Sequence, residues 1–198
     1  MKEGEVWTFA ETHEGKVHTV SFEMLARGRM LSEKLGVGLS AVLLGYGIEN
    51  REVQELVFRG ADKVYRLSNP GLTSFHVEKF SKALLHVVRR HGPQIFLAAA
   101  THTGRTLMPY LAIKLKTGLT ADCTGLDIEE GTGNLLQTRP AIGGNILATI
   151  KTPNHRPQMA TVRPRSTQPL GMNFLFLRLR RISLSKLRSQ TVSVLQWT

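Results

Sequence analysis

The chain has 198 residues, of which 41% are hydrophobic, and a formal net charge of +11. This length suits one medium domain, or one domain with a tail, and no apolar run reaches the roughly 18 residues that a membrane span needs. The charge is uneven, because residues 1–130 hold 16 Lys/Arg against 15 Asp/Glu, a net of +1, whereas residues 131–198 hold 10 Lys/Arg and no acid. A nucleic-acid role inferred from the total charge is therefore not expected for the body of the chain.

Strands and helices alternate along the first 116 residues. The strands are short apolar or alternating runs, and the helices carry apolar residues at three- and four-residue spacings. The predicted order is strand 5–10, helix 21–35, strand 39–44, helix 49–58, strand 63–67, helix 74–90, strand 95–100 and helix 106–116. This alternation predicts βαβ units and an α/β fold with a doubly wound, mostly parallel sheet.

The pattern changes after Gly118, where strands follow one another without helices. Glycine-, asparagine- and proline-rich segments separate them, and these are turn compositions. The predicted strands are 119–128, 135–139, 146–151 and 158–162. We therefore expect antiparallel β-hairpins to follow the α/β core.

Residues 165–198 differ again, since they mix apolar and basic residues with no clean period. We predict a domain at 1–164 and a basic tail at 165–198 that is disordered or not native protein design, as an out-of-frame read would produce. A nucleic-acid arm would instead place five tail cations on phosphates: Arg178, Arg180, Arg181, Lys186 and Arg188. A membrane-surface helix would add four apolar side chains: Phe174, Phe176, Leu179 and Ile182. Neither is favoured, so we expect no nucleic-acid partner and no membrane span.

The first residues and the cysteine content indicate the compartment. Residues 1–5 carry acids where a secretion signal would have a basic region followed by an apolar one. The lone Cys123 cannot form an internal disulfide. We therefore expect a cytoplasmic protein.

Ligands of open α/β sheets bind at the carboxyl ends of the strands, near the switch in strand order. The loops predicted there are 11–16, 45–50, 69–73 and 101–105. In the last loop, Thr103 and Gly104 precede a helix whose backbone N–H groups could bind an anion, and Arg105 could add a charge-assisted hydrogen bond. A capped helix start with a solvated arginine explains the same residues. Thr103, Gly104 and Arg105 are thus weak candidates for cofactor binding.

No arrangement of residues predicts catalysis or a metal site. Neither a GxGxxG nor a Walker A phosphate motif is present, and the seven histidines lack metal-ligand spacing. Cys123 falls on a predicted strand, which favours a buried inert thiol over a nucleophile paired with histidine. Asp122 and Asp127 fit strand-end carboxylates in hydrogen bonds better than acid/base groups. We predict no catalytic residue and no metal.

Three segments in register resemble the electron transfer flavoprotein α subunit family, and a fourth matches the family's loop before a helix. That fourth segment is 100–105, although Thr106 follows where an acidic residue or Asn is common in the family. The resemblance covers about residues 4–164. The three segments are 117–126 (TGLTADCTGL), 139–150 (RPAIGGNILATI) and 156–164 (RPQMATVRP).

The resemblance implies a fold and a function. The fold would be similar to that of the adenine-nucleotide α hydrolases. The α subunit of this family pairs with a β subunit, and the heterodimer carries electrons on FAD between flavin dehydrogenases and a downstream acceptor. The chain would then be part of an electron carrier rather than an enzyme.

The resemblance stops near Pro164, before the family's second α-subunit domain, which holds the FAD. The marks of that domain are Gly-Arg-Gly, Gly-Ala-Ser-Arg, Gly-Gln-Thr-Gly and Gly-Ile-Ser-Gly-Ala segments, and none occurs in this sequence. No FAD-binding residue is therefore carried over. We expect a truncated or frame-shifted chain that does not bind FAD alone and acts at most as a platform for the β subunit. The alternative is a stand-alone nucleotide-binding α/β module.

Overall fold

The computed structural model describes residues 4–141 and 146–166, and the backbone of residues 191–196. Most predicted elements are found within a few residues of their expected bounds. A short 3-10 turn at Pro70–Leu72, capped by Asn69, delays the third helix to residue 77. In chain order the elements are β1 (Val6–Ala10), β2 (Thr12–His13), β3 (Lys16–Val17), α1 (Val20–Leu35), β4 (Leu39–Gly45), α2 (Asn50–Phe58), β5 (Lys63–Ser68), α3 (Val77–His91), β6 (Ile95–Ala99), α4 (His102–Leu115), β7 (Leu119–Cys123), β8 (Gly125–Ile128), β9 (Leu135–Pro140), β10 (Leu147–Ile150), β11 (Gln158–Val162) and β12 (Thr191–Gln196).

Within the described residues, the main sheet has seven strands in the order β12-β5-β4-β1-β6-β11-β7, and every neighbouring pair is parallel. A separate antiparallel sheet has the order β10-β9-β8, and β2 and β3 form a small hairpin. The predicted fold class, a doubly wound α/β sheet with antiparallel hairpins, is confirmed.

Of the strands predicted to lie in hairpins, 158–162 and the first half of 119–128 belong instead to the parallel sheet, as β11 and β7. The second half of 119–128 is β8 of the antiparallel sheet. β11 inserts between β6 and β7, with Met159 opposite Phe96 on one side and Leu119 on the other. All five residues of β11 are buried, as befits a strand covered on both faces. The segment from β8 to β10 is long enough to serve as the crossover that a parallel pair requires.

The core consists of two apolar layers, one on each face of the main sheet. Side chains alternate between the faces along each strand, so one layer packs against α1 and α2 and the other against α3 and α4. Leu25 and Leu56 lie in the first layer, and Trp7, Leu84 and Leu107 lie in the second, all fully buried.

The position of β12 in the main sheet differs from the expectation that residues 165–198 lie outside the α/β core. Its backbone pairs with β5, with Val192 opposite Val64. The segment contains three β-branched residues, Thr191, Val192 and Val194, which favour extended structure. The tail positions named for an arm or a surface helix lie outside the described residues, and the boundary at 164 stays a prediction.

Neither a membrane-spanning helix nor a metal-binding group is found in the part of the chain that the structure describes. None of its helices is long and apolar enough to cross a bilayer. No three His, Cys, Asp or Glu side chains of that part are grouped as a metal site requires.

Candidate functional site

The switch in strand order lies between β1 and β6. From β1 the chain moves outward to β4 and β5, and then returns across the sheet to β6 on the other side of β1. The carboxyl ends of these two central strands, Ala10 and Ala99, therefore form the crevice where ligands of such sheets bind. Glu11 and Thr101 lie at its two sides.

Helix α4 begins at His102, four residues before its predicted start, because Thr101 caps it. Thr101 has an extended backbone, and its Oγ1 accepts a hydrogen bond of 3.1 Å from the backbone N–H of Gly104. The predicted candidates Thr103, Gly104 and Arg105 therefore lie in the first turn of a helix rather than in a loop. Pro109 lies inside this helix at an exposed position.

Gly104 is where α4 packs directly on the end of β6. A Cβ at this position would lie 1.9 Å from the backbone oxygen of Ala99. Only glycine allows this approach, so its role in this structure is steric.

Glu11 is the polar residue at the crevice that the sequence did not single out. Its carboxylate is nearly buried, with 9% of the residue exposed, and its Oε1 accepts a 2.7 Å hydrogen bond from the Thr101 hydroxyl. Its backbone N–H donates to Ser21 Oγ at 2.9 Å. Burial raises the pKa of Glu11, opposed by the hydrogen bond from Thr101 and by His18. The available signal was an acidic residue placed directly after a buried strand.

Arg105 extends from the first turn of α4 to Asp122. Its Nη2 and Nε lie 2.9 and 3.1 Å from the Asp122 Oδ1 atom. Asp122 has a left-handed backbone with φ of 58°, and its N–H donates to Thr161 Oγ1. The Arg105 side chain is 55% exposed, so this pair contributes little to stability. The aspartate takes part in hydrogen bonds at a strand end, as its position suggested.

This crevice does not fit the pyrophosphate of FAD. The N–H of Gly104 is used by the cap, and Arg105 is paired with Asp122. The Glu11 carboxylate lies 2.7 Å from the hydroxyl of Thr101, the N-cap of α4, where its negative charge would repel an anion bound at the amino end of this helix. The structure brings Thr103, Gly104 and Arg105 together on one helical turn, and their role in binding a nucleotide stays a prediction.

Cys123 is fully buried at the end of β7. Its Sγ lies 3.6 Å from the Thr120 carbonyl oxygen, and burial raises the pKa of the thiol to about 11. A thiol with this pKa is protonated near neutral pH, so it is a poor nucleophile. The expected inert thiol agrees with this geometry.

Glu11→Gln should change how stability depends on pH. Because burial raises the pKa of Glu11, the folded protein retains a proton that the unfolded chain releases, and stability falls as the pH rises from the ordinary glutamate pKa to the raised one. We expect the variant to gain stability relative to the wild type across that interval and to keep a constant difference above it.

Urea unfolding at a series of pH values measures this difference. Glu14→Gln is the matched control for the change in net charge, since the Glu14 side chain is 85% exposed. A difference between Glu11→Gln and the wild type that does not vary with pH would contradict the assignment.

Known proteins resemble the chain along most of its length. A family model described as "Electron transfer flavoprotein domain" matches residues 6–194. The electron transfer flavoprotein subunit alpha of Thermoanaerobacterium thermosaccharolyticum is 49% identical over 160 residues, which are 81% of this chain and 48% of the relative. The subunit of the same name from Clostridium acetobutylicum is 47% identical over 168 residues, 85% of this chain and 50% of the relative. Protein FixB of Azorhizobium caulinodans is 48% identical over 162 residues, 81% of this chain and 44% of the relative.

These similarities confirm the resemblance drawn from the three sequence segments. The family model continues past the predicted domain boundary at 164 and includes part of β12. The chain spans about half the length of the curated relatives it matches. Since the family model covers nearly the whole chain, this protein belongs to the electron transfer flavoprotein family.

Proposed function

We propose that this chain is the N-terminal part of an electron transfer flavoprotein α subunit and that its role is to bind the β subunit. The relatives named above are α subunits or FixB proteins, and the similarity covers the α/β domain described here. The whole protein would carry electrons on FAD between flavin dehydrogenases and a downstream acceptor. In that role the flavin supplies the electron chemistry, and the protein needs no acid/base pair.

The observation that carries the proposal is an exposed apolar edge on the small antiparallel sheet. Three large apolar residues at β10 are exposed: Ile146 and Leu147 at 66% each, and Ile150 at 38%. β10 is an outer strand of its sheet, hydrogen-bonded only to β9 among the described strands.

An edge strand with exposed apolar side chains is a surface that proteins normally cover. Leu147 and Ile150 lie on opposite faces of the strand because they are three positions apart, so neither face of this edge packs on the chain's own core. A partner that contacts both faces of β10, or that adds a strand to this edge of the sheet, would bury all three residues. We assign this surface, Ile146, Leu147 and Ile150, to the β subunit.

We do not propose that the described residues bind FAD. The crevice between β1 and β6 does not fit its pyrophosphate, and the glycine-rich segments of the family's FAD domain do not occur in the sequence. The role that we propose for the chain is to serve as a platform for the β subunit.

Leu147→Asp should weaken binding to the β subunit at least about tenfold, because a buried carboxylate without a partner is costly at an interface. The measurement is co-expression with an electron transfer flavoprotein β subunit from the same organism, followed by titration of the purified subunits by calorimetry. Circular dichroism of the variant verifies that it remains folded.

Tyr46→Asp is the matched control, since Tyr46 is a large residue that is 53% exposed at a different place, after β4. This variant should bind like the wild type. The platform role is wrong if the folded wild-type chain does not bind the β subunit. The assigned surface is wrong if both variants bind equally well.

A further inference from the structure

A basic groove lies at the amino-terminal edge of the main sheet, far along the strands from the crevice at Glu11. Its volume is about 400 Å³. Four exposed cationic side chains line it, and no acidic residue does: Arg89, Lys114, Lys116 and Arg156. We call the cavity lined by these four residues the basic groove.

The order of the strands explains why these cations converge. Arg89 lies in the last turn of α3, before β6, and Lys114 and Lys116 lie at the end of α4, before β7. Arg156 lies in the turn before β11. Because β6, β11 and β7 are neighbours in the parallel sheet, the segments that enter them lie side by side at one edge.

None of the four cations has an ion pair with a carboxylate of the described residues. Their hydrogen bonds go to neutral acceptors: Arg89 donates to the Lys114 carbonyl oxygen at 3.5 Å, and Arg156 donates to Asn134 Oδ1 at 3.2 Å and to backbone oxygens. Lys114 Nζ lies 5.4 Å from the centre of the Tyr110 ring.

The helix ends account for only part of this charge. The carboxyl ends of α3 and α4 meet at the groove, and each carries a partial charge of about −0.5, which favours nearby cations. The four side chains carry four positive charges and the two helix ends together about one negative charge, so a net positive charge of roughly three remains. The groove is therefore more basic than capping of the two helices requires.

The floor of the groove is apolar and includes Val88, Leu115 and the buried prolines Pro93 and Pro157. Ile113, which directly precedes Lys114 on α4, is also an exposed apolar residue, with 75% of its surface exposed. A small phosphorylated ligand would use the cations but not this apolar surface. We propose that the basic groove binds an acidic protein segment with an apolar anchor, supplied by a partner of this chain.

Exposed cations around a shallow apolar floor suit a transient docking contact, in which charge guides the encounter and an apolar side chain holds it. The interaction would be strongly salt-dependent, since the four cations are exposed. The two lysines changed in the test, Lys114 and Lys116, lie outside β10 and outside the surface of Ile146, Leu147 and Ile150, so the groove can be tested separately from binding to the β subunit.

The test is a fluorescence anisotropy titration of the full chain with a labelled peptide, Glu-Glu-Leu-Asp-Glu-Leu-Glu-Glu. Binding should weaken about tenfold when the salt concentration rises from about 20 to about 300 mM. Lys114→Glu combined with Lys116→Glu should abolish binding, because two attractive contacts become repulsive. Lys16→Glu combined with Lys79→Glu makes the same change of charge at two other exposed lysines and should retain binding.

Two further arms exclude other sources of binding. A chain with Gln at the five tail cations, 178, 180, 181, 186 and 188, should bind the peptide like the wild type, and excess ATP should compete only weakly. The proposal is overturned if the tail variant or the control pair loses binding as the groove pair does. It is also overturned if ATP displaces the peptide at equal concentration, or if the wild type binds no peptide at low salt.

Discussion

Gly104→Ala is expected to destabilise the folded chain by about 3 kcal/mol or more, a large fraction of the stability of an ordinary domain. The added Cβ would lie 1.9 Å from the backbone oxygen of Ala99, and neither backbone can rotate away as a side chain could. Helix α4 would have to move off the end of β6, which would also disturb the Thr101 cap and its hydrogen bond to Glu11. Thermal and urea unfolding measure the loss.

Gly38→Ala is the control for this substitution. The atoms nearest to a Cβ at Gly38 belong to the side chains of Glu5 and Asp62 and lie 3.8 Å or more away, which is ordinary van der Waals contact. Its effect should stay below about 1 kcal/mol. If Gly104→Ala is as stable as this control, then α4 does not pack on β6 as described.

Asp62→Ala should cost about 2–3 kcal/mol of unfolding free energy, because it leaves the buried cation of Arg29 without a carboxylate, although its hydrogen bond to the Gly60 backbone oxygen stays. Arg29 lies on α1 with only 7% of its side chain exposed, and its Nη2 is 2.8 Å from Asp62 Oδ2. The same carboxylate oxygen accepts the backbone N–H of Leu39 at 2.9 Å. The pair therefore joins α1 to the start of β4 and to the segment before β5.

A second ion pair provides the comparison for Asp62→Ala. Arg59 Nε lies 2.6 Å from Glu55 Oε1, and the Arg59 side chain is 23% exposed, against 7% for Arg29. The cation that loses this carboxylate in Glu55→Ala therefore keeps more contact with water, and this variant should cost less than Asp62→Ala. Adding Arg29→Met to Asp62→Ala should recover part of the loss, since no unpaired charge then stays buried. Equal costs for Asp62→Ala and Glu55→Ala, or no recovery in the double variant, would contradict this account.

The α/β part of the fold could be predicted because its pattern is local. Apolar runs such as 39–44 and 95–100 have the length and bounds of buried strands, and glycine marks the helix ends at Gly36 and Gly92. The antiparallel sheet of β8, β9 and β10 followed from its turn compositions. In each case the residues that determine the element lie within it or next to it.

The partners of β7 and β11 could not be predicted, because pairing depends on residues far apart in the chain. Nothing within Leu119–Cys123 or Gln158–Val162 identifies the neighbour of that strand, and both fit a hairpin equally well. The same limit applies to the crevice. Glu11 and Thr101 are 90 positions apart, and their hydrogen bond exists only because β1 and β6 are adjacent. The predicted start of α4, residue 106, is four residues too late, because a threonine such as Thr101 is common in loops as well as at helix N-caps.

The insertion of β11 between β6 and β7 has a consequence for synthesis on the ribosome. By residue 99 the chain holds all of β5, β4, β1 and β6, which are contiguous in the sheet and can assemble while translation continues. β7 is synthesised before β11, the strand that pairs with it. The edge of β6 also stays unpaired until β11, residues 158–162, has been synthesised. An apolar parallel edge exposed for this interval is a template for aggregation, so slow elongation across this stretch should favour misassembly of the nascent chain.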